Sequence, residues 1–337
     1  MHIDVYACPT CGEAGKRISE DFDGYVHGYS VFVLECARCT LRFVSPLDVP
    51  DGLYESIYRH AAVLPGYDRY ARYASAIQKH PSPLDMLASA ELPYWYARDH
   101  LRRGSARTPA TVVDLGCGEG YLTYALRRTG VECVGIDLSA TVVARARQRF
   151  GNDDWFFTVA ELADRGFAGA DLVVALELVE HVPDPVRLLG DAVALLKADG
   201  RVLMTTPNRD ASPAEAVWDS DLPPVHLLWF GTKAMTTLAD RAGCDVVFPA
   251  APAAPQGLGS GARPGVWPPL LTGSGEPTTA VVRARSLPWR IRRRMAGALA
   301  GVAHRLEAPP WRQLPGLAGA GRPPATLGAV FTPRSTG

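Results

Sequence analysis

The sequence predicts a doubly wound α/β protein with a small cysteine-rich module ahead of the sheet domain. Three observations predict it. Between residues 109 and 250, short apolar runs alternate with helical patterns. The first run ends in a glycine-rich turn and the second in a carboxylate. Four of the seven cysteines form two Cys-x-x-Cys pairs before residue 40. Strands alternating with helices imply a mostly parallel sheet covered on both faces. Ligands of such sheets bind outside the carboxyl ends of the strands.

The chain divides into four stretches. Residues 1–48 hold the cysteine pairs, and residues 49–108 are Tyr- and Arg-rich and read as helical. Residues 109–250 form the sheet domain. Residues 251–337 run from a Pro/Gly/Ala-rich loop through a basic helix to a strand-like end. In the third stretch, residues 111–115 read as a buried strand and 121–128 as a helix, with Gly130 just past its end. Residues 134–137 are the second strand. Ser139 can cap the next helix, which presents Val142, Val143, Ala146 and Phe150 at helical spacing. Residues 155–159 and 171–176 are the third and fourth strands. Asp184-Pro185 is a cap followed by proline at the first helical position, opening an amphipathic helix that carries Val186, Leu189, Val193 and Leu196. Residues 201–206 form a fifth strand, entered by an Asp199-Gly200 turn. Thr232 caps a helix that runs to Ala242 and stops at Gly243. Residues 244–248 and 327–333 supply the sixth and seventh strands.

Length and charge bound the function. A chain of 337 residues accommodates one large core plus a smaller module. Lys+Arg and Asp+Glu are equal at 35 each, so no global field favours nucleic acid or an anionic membrane. No apolar run reaches the roughly 18 residues that suggest a membrane span. The start, Met1-His2-Ile3-Asp4, lacks the basic and apolar regions of a secretion signal, so a cytoplasmic location is expected. In a reducing compartment, paired cysteines favour metal ligation over disulfides.

Cys8-Pro9-Thr10-Cys11-Gly12 and Cys36-Ala37-Arg38-Cys39 are two knuckles that together supply four sulfurs for a tetrahedral, structural zinc ion. Two redox pairs are the alternative. A module of this size builds little core, and a metal supplies the missing stability. Its bases, Lys16, Arg17, Arg38 and Arg42, stand against several acids, which argues against nucleic acid as a partner. Cys117, Cys133 and Cys244 read as small buried residues.

Asp114-Leu115-Gly116-Cys117-Gly118-Glu119-Gly120 lies at a strand-to-helix junction, where glycines let the backbone turn tightly beside a ligand. A dinucleotide site prefers G-x-G-x-x-G. Here the spacing is G-x-G-x-G, and Glu119 stands where a phosphate would be repelled. Asp137 ends the second strand, where a carboxylate can accept hydrogen bonds from both ribose hydroxyls of an adenosine ligand.

Residues 109–250 resemble the class I S-adenosylmethionine-dependent methyltransferases. The resemblance rests on residues 113–120, on Gly135-Ile136-Asp137-Leu138-Ser139 and on residues 177–185. It implies a seven-stranded Rossmann-like sheet of order 3-2-1-4-5-7-6 with strand 7 antiparallel. It also implies cofactor contacts from Asp114, Gly116, Cys117, Gly118, Gly120, Asp137 and Leu138. The family often places an acid after the third strand to hold the adenine amino group, and Glu161 is the candidate here. The preceding helices of such proteins form a lid, where Tyr70 can meet the cofactor's carboxylate end.

Glu177, Glu180 and His181 stand at the mouth of the fourth strand, where the transferred methyl would lie. In one mechanism His181 is the general base for a substrate hydroxyl. In the other, Glu177, Glu180, His181 and His226 bind a second divalent cation, Mg2+ or Zn2+, that chelates substrate oxygens. That set resembles ubiquinone-pathway O-methyltransferases and small-RNA 2′-O-methyltransferases. Glu-His also occurs at this position without metal, lining the pocket, and His226 alone can be a core histidine. Residues 39–46 followed by Tyr54 and Tyr58 resemble zinc-ribbon methyltransferases of bacterial glycan and natural-product gene sets, in which the ribbon sits beside the substrate cleft. The expected reaction is O-methylation of a small molecule or sugar. The alternatives are C- or N-methylation and, from another class, a non-catalytic zinc-ribbon interaction protein. Arg290, Arg292, Arg293 and Arg294 open a basic helix that reads as a solvated face, or as one that touches a membrane surface or an anionic substrate.

Overall fold

The computed structural model describes residues 6–64, 66–103, 111–165, 167, 169–211, 222–252, 269–279 and 324–334. The N-terminal ribbon comprises β1 (Gly15–Arg17), β2 (Phe22–Asp23), β3 (Ser30–Cys36) and β4 (Arg42–Ser45). Four helices follow: α1 (Leu53–His60), α2 (Asp68–Ala76), α3 (Pro83–Ala90) and α4 (Leu92–Arg103). The sheet domain then runs β5 (Thr111–Leu115), α5 (Tyr121–Arg127), β6 (Glu132–Asp137), α6 (Ala140–Phe150), β7 (Phe156–Thr158), α7 (Val159–Asp164) and β8 (Ala170–Leu176). It continues with α8 (Pro185–Ala194), β9 (Leu196–Pro207), β10 (Leu228–Trp229), α9 (Thr232–Arg241), β11 (Cys244–Val247) and β12 (Thr326–Pro333).

Seven strands form one sheet in the order β11-β12-β9-β8-β5-β6-β7. Read from β7, this is the expected 3-2-1-4-5-7-6. β12 is antiparallel to both β9 and β11, and the other pairs are parallel. Alternation along the strands divides the core. Val112, Leu172, Val174 and Leu203 face α3, α4 and α5, whereas Val113, Val173, Ala175 and Met204 face α8 and α9.

Three local expectations need correction. The third strand is shorter than 155–159, because Trp155 closes a 3-10 turn capped by Asn152 and Thr158 opens α7 with a capping box to Glu161. Leu196 belongs to β9, paired with Ala170, rather than to the preceding helix. Thr232 is the first residue of α9, not its cap. The Asp210 carboxylate accepts the Thr232 N–H and Oγ1–H, both at 2.8 Å, and does the capping from 22 residues upstream.

The ribbon is not closed on itself. Its sheet runs β1-β3-β4-β10, with β2 on β3, and β10 comes from the sheet domain between β9 and α9. Leu228 pairs with Phe43 and Trp229 with Arg42. Among the described residues, no helix is long and apolar enough to cross a membrane. The basic segment at Arg290–Arg294 lies outside the described residues.

Candidate active site

A cavity of about 900 Å³ opens where β5, β6 and β8 end, and the glycine turn, Asp137, Glu177, His181 and His226 all line it. The turn is fastened to β6. The N–H groups of Gly116 and Cys117 donate to the Ile136 carbonyl at 2.8 and 3.0 Å, and Gly118 N–H donates to Asp137 Oδ2 at 3.0 Å. Gly116 and Gly118 have φ of 74° and 52°, a region that disfavours any side chain with a Cβ. Ser139 N–H donates to Asp137 Oδ1 at 2.9 Å, so both carboxylate oxygens are held while the group faces the cavity. Burial raises the Asp137 carboxyl above its ordinary range, against the pull of these amides.

Asp114 is buried and accepts from the Thr123 N–H at 3.1 Å and Oγ1–H at 2.7 Å. Burial still pushes its pKa up to about 7. Cys117 and Leu138 also line the cavity, Leu138 with 84% of its surface exposed. Tyr70 stacks on Tyr121 beneath the Arg69 guanidinium, and burial raises its phenol. Arg69 in turn pairs with Glu91 at 2.9 Å.

Two expected cofactor residues are placed elsewhere. Glu161 is not among the cavity-lining residues. Its carboxylate accepts the Thr158 N–H and pairs with Arg147 at 2.9 Å, and these contacts lower its pKa. The helix start has captured the acid. Gly120 also stands outside the lining. It precedes α5 with φ of 80°, and a Cβ there would overlap the Phe156 ring, so the glycine serves packing.

On the other wall, Glu177 follows β8 in a left-handed conformation, φ 50°, uncommon for a non-glycine residue. A 3-10 turn, Val179–His181, then presents Glu180 and His181. Glu180 is fully buried. His181 Nδ1 lies 2.6 Å from the Val225 carbonyl and 3.1 Å from Tyr54 Oη. A carbonyl only accepts, so Nδ1 carries the proton and Nε2 is the basic nitrogen of the neutral ring. Nε2 is 4.0 Å from Glu180 Oε1. The His226 ring stands edge-on to His181, with centroids 4.5 Å apart. Its Nδ1 is buried with no protein hydrogen-bond partner, and burial pulls its pKa down to about 3, keeping it neutral. Ligand atoms of Glu180, His181 and His226 lie within 4.8 Å of one another. Glu177, the fourth expected ligand, is outside this group, because it precedes the turn that brings the others together.

The four ribbon cysteines are buried and converge, with Sγ atoms within 4.8 Å of one another. Cys8 and Cys39 are 3.6 Å apart and Cys11 and Cys36 3.4 Å apart. Tetrahedral zinc with Zn–S bonds of roughly 2.3 Å needs sulfur separations of about 3.8 Å, so the residues fit the ion. Thr123, Arg69 and Glu91 carried no motif of their own, and Tyr54, singled out only beside the ribbon, meets a His181 that lies 127 residues on.

Comparison with known proteins finds methyltransferases. A family model described as a methyltransferase domain matches residues 90–247. A ubiquinone biosynthesis O-methyltransferase of Coxiella burnetii is 33% identical over 103 residues, 29% of this chain and 44% of that protein. The chain thus spans less than half the length of that relative. A probable S-adenosylmethionine-dependent methyltransferase of Mycobacterium tuberculosis is 27% identical over 192 residues, 53% of this chain and 68% of that protein. Among solved structures, a complex between the Haloferax volcanii Trm112 methyltransferase activator and the putative methyltransferase aligns at 17% identity and a TM-score of 0.46, covering 85% of this chain and 99% of that one.

Proposed function

Because the chain belongs to the class I S-adenosylmethionine-dependent methyltransferases, we propose that it methylates a hydroxyl oxygen of a small molecule or sugar, with His181 as the base. One observation carries this reading. His181, whose ring is locked by Val225 and Tyr54, lines the same cavity as the glycine turn and Asp137. S-adenosylmethionine, when bound, supplies a sulfonium methyl that an acceptor oxygen attacks in line, the C–S bond breaking to leave S-adenosylhomocysteine. Gly116, Gly118 and Leu138 bed the adenosine part, and Asp137 accepts its ribose hydroxyls. Tyr54 and the Val225 carbonyl keep the His181 proton on Nδ1, so Nε2 takes the acceptor's O–H proton as the oxygen attacks. The enclosing walls hold the acceptor in place, which removes the entropic cost of the encounter.

The ribbon cysteines Cys8, Cys11, Cys36 and Cys39 would hold a structural zinc ion, which would cross-link the two knuckles. A second reading of the acceptor wall is favoured by the Glu180, His181 and His226 group and by the unpartnered Nδ1 of His226. These residues would hold a divalent cation, which would lower the pKa of a bound hydroxyl.

Calorimetry with S-adenosylmethionine tests the cofactor assignment: wild type binds, and Asp137→Ala loses at least tenfold in affinity. Methyl transfer from labelled cofactor to a panel of hydroxyl compounds tests the reaction. His181→Ala should keep cofactor affinity and lose 10²-fold or more in turnover, the order of general-base catalysis. Full turnover in His181→Ala would remove the base. A second metal that disappears with His181 would favour the chelating version.

A further inference from the structure

We propose that the four-cysteine ribbon is the seat of the acceptor wall, so that metal occupancy of Cys8, Cys11, Cys36 and Cys39 sets the placement of His226 and His181. This rests on the methyl-transfer reading of the cavity. The segment 222–229 carries His226, and its Val225 carbonyl holds His181. That segment is fastened to the ribbon at three levels. Tyr25 N–H donates to the Pro223 carbonyl at 2.6 Å, Val44 N–H donates to the Leu227 carbonyl at 3.1 Å, and β10 pairs with β4. On its other side Leu227 N–H donates to the Glu180 carbonyl at 2.8 Å, which ties the same segment to the turn bearing His181. One continuous set of backbone bonds therefore runs from the ribbon strands to both imidazoles.

A side-chain network runs beside it. Glu35, next to Cys36, accepts from Arg42 at 2.8 Å and from Arg209 at 2.7 Å. Arg209 N–H donates to the Phe230 carbonyl. The fit is close enough that Gly24 admits no Cβ, which would overlap the Pro223 carbonyl oxygen. By contrast, the hydrogen bonds that hold Asp137 and the Gly116–Gly118 backbone run to Ile136, to Ser139 and between the two, and none among the described residues runs to the ribbon, although Leu178 packs beside Gly116. Loss of the metal should thus disturb acceptor chemistry and spare cofactor binding. A ribbon that only stabilises the fold would disturb both or neither.

Hydrogen exchange by mass spectrometry on the full chain tests this at a temperature where the protein stays folded. Three samples are compared with wild type: wild type stripped by a zinc chelator, Gly24→Ala, and Val44→Pro, which deletes the N–H donated to Leu227. Metal content and S-adenosylmethionine affinity are measured on each. Exchange should rise at least fivefold in peptides covering 222–230 and 177–182, with a smaller rise over 111–139, whose Val113 and Ile136 share the ribbon's core, and with cofactor affinity within twofold. The two variants should do this with zinc retained. A rise confined to 6–49, or one that includes 111–139 to the same degree, overturns the proposal. Failure of wild type to bind S-adenosylmethionine would instead strike the functional reading, and the exchange pattern reports on the linkage independently of it.

Discussion

Asp114 is a carboxyl group buried beneath the glycine turn, with Thr123 as its hydrogen-bond donor. Its pKa rises from 3.8 to about 7 because burial disfavours the charged form. A raised carboxyl binds its proton more tightly in the fold than in the unfolded chain. Its stabilisation is therefore complete below pH about 4 and is lost as pH climbs to about 7. At roughly 1.36 kcal/mol per pKa unit, the loss amounts to at most about 4 kcal/mol. Urea denaturation of the unliganded protein at stepped pH should show stability falling across that window, and Asp114→Asn should flatten the slope. Equal slopes in the two proteins would refute this account of Asp114. Thr123→Val removes a hydrogen bond to the same oxygen and should cost about 1–3 kcal/mol. The presence of Asp114 in the turn was legible from Val113-Asp114-Leu115-Gly116, because strand, acid and glycine are adjacent in the chain. Its donor, nine residues on, had no signature of its own.

At the scale of elements, the apolar runs and their punctuation were readable, and the caps supplied from a distance were not. β5, β6 and β8 show as short buried runs because both sheet faces are covered. The cap of α9 comes from Asp210, and β10 completes a sheet whose other strands lie almost 200 residues upstream; neither leaves a local pattern. Glu161 shows two local signals in competition. Thr158-x-x-Glu161 has the spacing of a capping box, and that geometry prevails over any reach toward adenine. Glu161→Ala should therefore lower stability by about 1 kcal/mol, the usual worth of a cap, and leave S-adenosylmethionine affinity unchanged by calorimetry. A tenfold loss of affinity would restore the acid to the adenine site. The acceptor wall was legible in part. Glu180, His181 and His226 assemble, but Glu177 does not join them, because the left-handed residue at the strand end breaks the spacing.

At the scale of the whole molecule, one apolar cluster contains the four ribbon cysteines, Phe43 and Val44 together with Val113, Val173 and Met204 of the sheet and Leu238 of α9. The ribbon has no separate core to melt, because the apolar faces of β3 and β4 are buried against the same residues that anchor β10 and α9. Heating the zinc-loaded protein should then release metal in the transition that unfolds the sheet domain. A ligand of the glycine turn should delay both, although it touches no ribbon residue. At a hundredfold excess over its dissociation constant, S-adenosylmethionine would add about 2.7 kcal/mol to the folded state. That should move the unfolding midpoint upward by several degrees, as followed by circular dichroism, and the zinc-release midpoint, as followed with a chromogenic chelator, by the same amount. Release of zinc at a lower temperature, unmoved by the cofactor, would mean that the ribbon opens on its own and that the shared core does not couple it to the sheet.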